Sequence, residues 1–378
     1  MERADCMRVL TVTTYNVYNY GAALQAYALQ QFLLSLGHEA LLLNYQPEYL
    51  TRKYDYRWVN PESKMSRFAA TRFVYRILKF LQRQTTLKRK RAFDDFVARE
   101  LRQTDLYVSS RQVMNEPPAA DVFVAGSDQI WNTFYEAGRD PVFYLAFARP
   151  EQKVAYAASF SFVEIAQDMK EQLARWLSDF KAIGVREFHG LDILHQLNLE
   201  GQWVLDPVFL IDMAQWKKMM LPFEKREPYL LIYDFEGNAE LKAFAKRYAA
   251  AKNLRIYSIN DTYPRLYADR NFSNGGPRDF LTLIYNCDAF VSNSFHGTAF
   301  ALMFNKPVYV FERHRHKVNS RMESLTRLFG ISDCILRSAS DCEEALQRTW
   351  DFSEINEVMV HEASKSREFL KQALAEKE

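Results

Sequence analysis

A chain of 378 residues with 48% hydrophobic and 25% charged side chains exceeds the usual single core of about 100–200 residues, so two domains are expected and neither disorder nor a membrane-spanning bundle fits. The 49 Lys+Arg against 47 Asp+Glu leave a net charge of +2, which removes a nucleic-acid binder built on bulk charge; basic surface, where it matters, must be local. Cys6, Cys287, Cys334 and Cys342 show no CxxC spacing and read as free thiols. The first dozen residues lack a signal-peptide core, and no run of about 18 apolar residues occurs. The expected location is therefore the cytoplasm, with the inner face of the membrane left open. Aromatic residues make up 15% of the chain, which suits a sugar-facing cleft as well as plain core filling.

In chain order, residues 8–13 predict a short strand that stops at the polar loop Thr14–Gly21. A helix over Ala22–Leu36 then ends at Gly37, and Glu39–Asn44 predicts a second strand. This strand, loop, helix and strand open a Rossmann-like domain. The stretch 46–118 is an insertion of another kind. Between Lys64 and Arg91 it holds ten Lys/Arg and no Asp or Glu, interleaved with Phe68, Phe73, Ile77, Phe80, Leu81 and Leu87. Arg72, Arg76, Lys79 and Arg83 stand around an apolar stripe at helical spacing. Two readings stay open for it: an amphipathic helix lying on an anionic membrane through residues 64–91, or a helix docked on its own domain with a solvated basic face.

Further strands are predicted at Val122–Ala125, Lys153–Ala157, Ala182–Val185 and Trp203–Val204. After Asp206-Pro207 a second α/β series begins: strand Tyr229–Tyr233, a helix near Ala239–Ala251, strand Leu254–Ile259, a helix near Asp279–Cys287, strand Ala289–Val291, a helix from about Gly297, and strand Val308–Phe311. The expected organisation is an α/β fold of two Rossmann-like domains, 1–205 and 206–350, facing a cleft, with the helical basic insertion in the first. A last helical segment, 351–378, packs back on the first domain.

Candidate chemistry collects at strand ends, where open α/β sheets place ligands. The loop with Asn16, Asn19 and Gly21 precedes a helix N-terminus and offers free N–H groups to a phosphate, carboxylate or sugar hydroxyls; serving only the turn and cap is the plainer reading. There is no GxGxxG. Ala125–Asn132 (AGSDQIWN) crowds Ser127, Asp128, Gln129 and Asn132 after a strand, with Asp128 either a general base or a helix cap. Arg186 can clamp a carboxylate or phosphate, or simply pair with Glu187. In Val291–Thr298 (VSNSFHGT), Ser292 and Ser294 turn the chain and His296 stands beside Gly297 at the start of a helix, suited to proton transfer next to an anion. His314 and His316 lack a third ligand nearby and read as an exposed basic loop rather than a metal site.

These blocks together resemble the polysaccharide pyruvyl transferases: Tyr15–Gln30 (YNVYNYGAALQAYALQ), Ala125–Asn132, Val185-Arg186-Glu187, Leu205–Leu210 (LDPVFL), Val291–Thr298 and Asn305-Lys306-Pro307, in that order, with Asn319-Ser320-Arg321 a further match. The resemblance covers about residues 8–330, leaving out the insertion and the last helix. It implies a GT-B-like fold with an acceptor-side first domain and a donor-side second one. It also implies a transferase that moves a pyruvyl group from phosphoenolpyruvate onto two hydroxyls of a sugar, with phosphoenolpyruvate as co-substrate and no cofactor or metal. Catalytic roles fall to His296 and Asp128, donor binding to Arg186, Ser294, Ser292, Gly297 and Arg321, and acceptor binding to Asn16, Asn19, Gly21, Ser127 and Asn132. The acceptor is a sugar or a lipid-linked oligosaccharide; no nucleic acid is expected. One departure stands out: many members carry Arg two residues before the His, and here that position is Ser294, which leaves two readings open, a substitute in Arg321, Arg313 or Lys306, or a different donor.

Two rivals remain. A nucleotide-sugar glycosyltransferase on the same fold is disfavoured because two Glu common near the equivalent Lys-Pro-Val are replaced by Ser292 and Phe300. A non-catalytic membrane-surface scaffold would use the basic insertion and leave His296 and Arg186 without a role.

Overall fold

The computed structural model describes residues 6–52, 59, 68–81, 83–260, 264–313 and 319–375. It contains two parallel sheets. The first runs β2-β1-β3-β4-β5-β6, from β1 (Arg8–Val12), β2 (Glu39–Leu42), β3 (Val122–Ala125), β4 (Lys153–Ala158), β5 (Ala182–Val185) and β6 (Gln202–Trp203). The second runs β11-β10-β7-β8-β9, from β7 (Tyr229–Tyr233), β8 (Arg255–Ile259), β9 (Arg270–Phe272), β10 (Ala289–Ser292) and β11 (Val308–Val310). Every strand pair is parallel. The central strands are buried on both faces, which is why VFVA, KVAYAA, YLLIY and AFVS read as continuous apolar runs rather than alternating ones. Alternate residues of one strand serve separate layers: Val9 joins the core between the sheets, Leu10 the core on the far face.

The core between the sheets is continuous across the two domains. Helix Tyr20–Ser35 lies there, buried almost all round, and so lacks a polar face. Asn19 caps it, its Oδ1 accepting from the Ala22 N–H at 3.2 Å, and Gly37 leaves it at φ 89°. Tyr20 stacks on Phe280 of the second domain at 4.7 Å and donates to the Gly275 carbonyl at 3.1 Å. Tyr27 meets Trp216 at 5.8 Å. Helix Ser353–Leu374 lies on the first sheet: Ser366 Oγ accepts from the Leu205 N–H at 2.9 Å, and Phe369 fills the space beside Gly184, where a Cβ would fall 2.7 Å from its ring.

Three local readings change. The insertion is not wholly helical: after helices Ala69–Leu81 and Arg83–Glu100, residues 101–107 run beside β2, with Leu42 N–H bonded to the Arg102 carbonyl and Tyr107 N–H to that of Asn44. Residues 126–135 form turns, so Asp128 caps no helix. Strand β9 has only three residues, on an edge, too short for period-two alternation to register.

Candidate active site

In each sheet the strand order reverses direction at one point. Beside β1 the chain winds outward through β2 on one side and through β3 on the other, and beside β7 through β8 and β10. Ligand crevices of open α/β sheets form at such points. The loops after β1, β3 and β10 are the three polar stretches picked out above, and the fold turns them toward one another. Gly21, in the first turn of the helix after β1, lies so close to the second domain that a Cβ there would fall 2.0 Å from His296 Nδ1. Only a residue without a side chain permits this approach.

At the centre sits Asp206, a carboxylate 1% exposed. Its Oδ1 accepts from the Val208 N–H at 3.1 Å and starts the Pro207–Phe209 turn. Its Oδ2 accepts from Arg186 Nη1 at 2.8 Å and from Ser127 Oγ at 3.0 Å, and lies 3.3 Å from His296 Nε2. Burial works against ionisation of this carboxyl, but the imidazole of His296 and then the guanidinium of Arg186 outweigh it and hold its pKa well below the usual carboxylate range. Asp206 therefore stays charged and ties three loops of the first domain to the His of the second. In the sequence it shows as the residue before a Pro at a domain break, inside the LDPVFL block; an Asp in the short loop after the last strand of the first sheet is the signal that could have found it.

Arg186 is 3% exposed and does not pair with Glu187. Glu187 turns away to accept from Ser159 Oγ at 3.0 Å and the Ser161 N–H at 2.8 Å. Arg186 instead meets Asp206 and Ser127, and its Nη2 lies 3.9 Å from Asp128 Oδ1. Its Nε and Nη2 have no hydrogen-bond partner, and neither has Nε of Arg321. Arg321, on the helix Ser320–Leu328, is buried beside it. Both guanidiniums lie over the ring of Phe295, at 4.6 Å for Arg186 and 5.7 Å for Arg321. With its amide oxygen turned toward it, Gln129 accepts from both terminal nitrogens of Arg321, at 2.6 and 2.9 Å. Burial, followed by the like charge of Arg186, pushes the Arg321 pKa down to about 10. Two buried guanidiniums side by side, with unused N–H donors, form a socket for an anion.

Of the candidates to replace the Arg missing at Ser294, Arg321 alone reaches this socket. Arg313 pairs with Glu236 at 3.1 Å over the Phe235 ring, and Lys306 sits over Tyr285. Asp128 stands at the rim, its side chain 20% exposed, its Oδ2 accepting from Thr14 Oγ at 3.2 Å. Its φ of 73° places it in the left-handed region, a conformation that costs a non-glycine residue about 1 kcal/mol or more and that clusters at functional sites. Asn16 lies in the loop after β1 with a buried Oδ1 that has no partner.

Several predicted contacts go elsewhere. Ser292 Oγ donates to the Tyr233 carbonyl at 2.6 Å and accepts from the Ser294 N–H at 3.0 Å. Ser294 Oγ caps the His296 helix by accepting from the Gly297 N–H at 3.2 Å. Gly297 gives room to Phe290. Asn132 Oδ1 accepts from the Phe134 N–H at 3.1 Å within its own turn, Asn19 caps a helix, and Ser127 is taken up by Asp206 and Arg186. These residues build the site's walls, and the polar atoms named have partners within the protein. Gln129, from the polar cluster after β3, faces the socket, and so does Phe295, which was not singled out. Among the described residues no group of three or more His, Cys, Asp or Glu could hold a metal ion. His314 and His316 lie outside the described residues.

A family model for polysaccharide pyruvyl transferases matches residues 19–315, and the chain belongs to that family of transferases. No curated protein sequence matches it. Solved structures similar to it include UDP-GlcNAc 2-epimerase from Neisseria meningitidis bound to UDP-GlcNAc, at 9% identity and a TM-score of 0.49 over 97% of this chain and 99% of that one. A Thermobaculum terrenum O-GlcNAc transferase mutant follows at 12% and 0.46, over 99% of this chain and 68% of the other. Acinetobacter baumannii MurG gives 10% and 0.44, over 96% and 99%. At these identities nothing about activity transfers from them; the two Rossmann-like domains facing a cleft, a GT-B-like arrangement, are evident from the sheets themselves.

Proposed function

We propose that this protein transfers the pyruvyl group of phosphoenolpyruvate onto two hydroxyls of a sugar, forming a cyclic ketal during bacterial capsular, exopolysaccharide or cell-wall polysaccharide synthesis. Family membership supports the reaction class, and one observation carries the donor: the socket of Arg186 and Arg321, with three unpartnered guanidinium N–H-bearing nitrogens against Phe295 and beside His296. Phosphoenolpyruvate brings a carboxylate and a phosphate to such a socket, and its methylene is the apolar edge that a phenyl ring accommodates.

The chemistry proceeds as follows. His296, or an acid it positions, gives a proton to the methylene carbon, which becomes the methyl group, and the adjacent carbon turns cationic. A sugar hydroxyl forms a C–O bond to that carbon and yields its proton to Asp128. The C–O bond to phosphate then breaks with its electrons leaving on phosphate, and the second hydroxyl adds to close the ring, its proton passing to the departing phosphate. Arg186 and Arg321 stabilise the negative charge that builds on the leaving group. Asp206, 3.3 Å from Nε2, keeps the imidazole oriented.

Incubation with phosphoenolpyruvate and a panel of lipid-linked and nitrophenyl sugars, followed by mass spectrometry, is expected to show the pyruvyl adduct with equimolar phosphate. Replacement His296→Gln should lower turnover by about two to four orders of magnitude, the range of general acid–base contributions. Near wild-type turnover in that variant would overturn the role of His296, and phosphate release with no adduct would overturn the transfer.

A further inference from the structure

Helix Ala69–Leu81 carries its hydrophobic residues outward. At 100° per residue, Ala69, Ala70, Phe73, Val74, Ile77, Leu78, Phe80 and Leu81 fall on one half of the cylinder, and Thr71, Arg72, Tyr75, Arg76 and Lys79 on the other. In a helix docked on its own domain the apolar half would be covered. Here Phe73 is 65% exposed, Val74 49%, Ile77 43% and Leu78 48%, and Phe68 just before the helix is 68% exposed. An apolar patch this continuous marks an interaction surface.

Charge selects the partner. Arg76 is exposed on the border of the apolar half and Arg72 is exposed further round, within the polar half, and the stretch from Lys64 to Arg91 holds ten Lys/Arg and no acid. A second copy of the chain on this face would bring like charges together. An anionic lipid surface satisfies both halves at once, taking the apolar side chains into the acyl boundary and the guanidiniums at the phosphates. Among the described residues no helix is long and apolar enough to cross a membrane, so contact of this kind lies in the plane of the surface.

The next helix ties this face to the cleft. In Arg83–Glu100, Arg89 donates to the Tyr18 carbonyl at 2.8 Å and lies over the rings of Tyr20 and Phe93, each at 4.6 Å. Tyr18 donates to Asp94 at 3.0 Å, and the backbone of Ala92 abuts Gly276 of the second domain. A surface bound by Ala69–Leu81 is thus held beside the mouth of the crevice.

We propose that helix Ala69–Leu81 docks the protein on an anionic phospholipid surface. It lies in the plane with Phe73, Val74, Ile77 and Leu78 buried in the lipid and Arg72 and Arg76 at the headgroups. The helix is about 20 Å long, enough to span several headgroups. This docking is independent of the identity of the donor.

Flotation of the full chain with phosphatidylglycerol–phosphatidylcholine vesicles tests it. Wild type is expected to float with these vesicles at low salt, to leave them at high salt, and to ignore phosphatidylcholine alone. The double variant Phe73→Ser/Ile77→Ser should stay in solution, and Arg72→Glu/Arg76→Glu should lose at least about fivefold in partitioning per charge removed. Both variants should keep the wild-type thermal midpoint and the wild-type turnover of a water-soluble acceptor, which separates this inference from the proposed reaction. It is overturned if wild type fails to float with anionic vesicles, if Phe73→Ser/Ile77→Ser floats equally well, or if these substitutions abolish a concentration-dependent dimer while wild type binds no vesicle.

Discussion

The Asp206 centre and the Ala69–Leu81 helix break the ordinary partition of side chains in opposite senses. In the first, two guanidiniums, a carboxylate and an imidazole are 1–7% exposed. In the second, phenylalanine, valine, isoleucine and leucine stand between 43% and 65% exposed. The buried group is held together through Asp206, which bonds to Arg186 and lies 3.3 Å from His296, while Arg321 is held by Gln129 and the Phe295 ring. The exposed group is only partly covered by the folded chain, so its members can be exchanged singly at little cost to the fold. An inversion supported from within the molecule belongs to a preorganised site, and one without internal support belongs to a surface that meets something else.

The contrast breaks most sharply at Asp206. Asp206→Ala removes the buried carboxylate that pairs Arg186, leaving that guanidinium only the more distant Asp128, and is expected to cost about 3–5 kcal/mol of folding stability, as well as activity, by urea unfolding. The pKa of Asp206 is depressed in the folded state, so its contribution is present above the unfolded carboxyl value of about 3.9 and is lost as pH falls from there toward the folded value. Asp206→Asn should therefore flatten the decline of stability below about pH 4 that this predicts for the wild type, read by unfolding across that pH range.

A smaller effect, confined to binding, is expected at the other side of the socket. Arg321→Met removes a charge that burial and Arg186 already disfavour, so stability should change little while donor binding weakens by about 1.5–3 kcal/mol, the worth of a hydrogen bond to a charged group. A rise in KM for phosphoenolpyruvate with an unchanged melting temperature would match this; the reverse pattern would make Arg321 a structural residue.

Gly21→Ala probes the closure between domains. Its Cβ would overlap the His296 ring, and accommodating it should cost about 1–3 kcal/mol by overpacking, read by thermal unfolding and by reduced turnover. Smallest of all is Phe73→Ser on the exposed helix, expected to change unfolding free energy by no more than about 0.5 kcal/mol. A large loss there would show that the helix is packed against the protein after all.

The strands were legible because buried parallel strands are short apolar runs bounded by polar loops, and VFVA at 122–125 and YLLIY at 229–233 carry that mark without ambiguity. Only the three-residue edge strand β9 escaped. In the site, the loops were legible as polar clusters at strand ends, but the use of each polar atom was not. Ser292 and Asn132 look like ligand contacts in a linear string, yet their nearest neighbours in space are the Tyr233 carbonyl and the Phe134 N–H, which consume them.

By itself the chain order of apolar runs, caps and polar loops determined two Rossmann-like domains and an amphipathic basic helix, because those features depend on neighbours three, four or two residues away. Only the tertiary structure decided that Arg186 turns from Glu187 to Asp206, that Arg321 lies buried beside Arg186 over the Phe295 ring, and that Gly21 faces His296. Each of these joins residues far apart in the chain across strand ends and between domains. Such contacts are chosen by the balance of buried charge and available space, which no local pattern encodes.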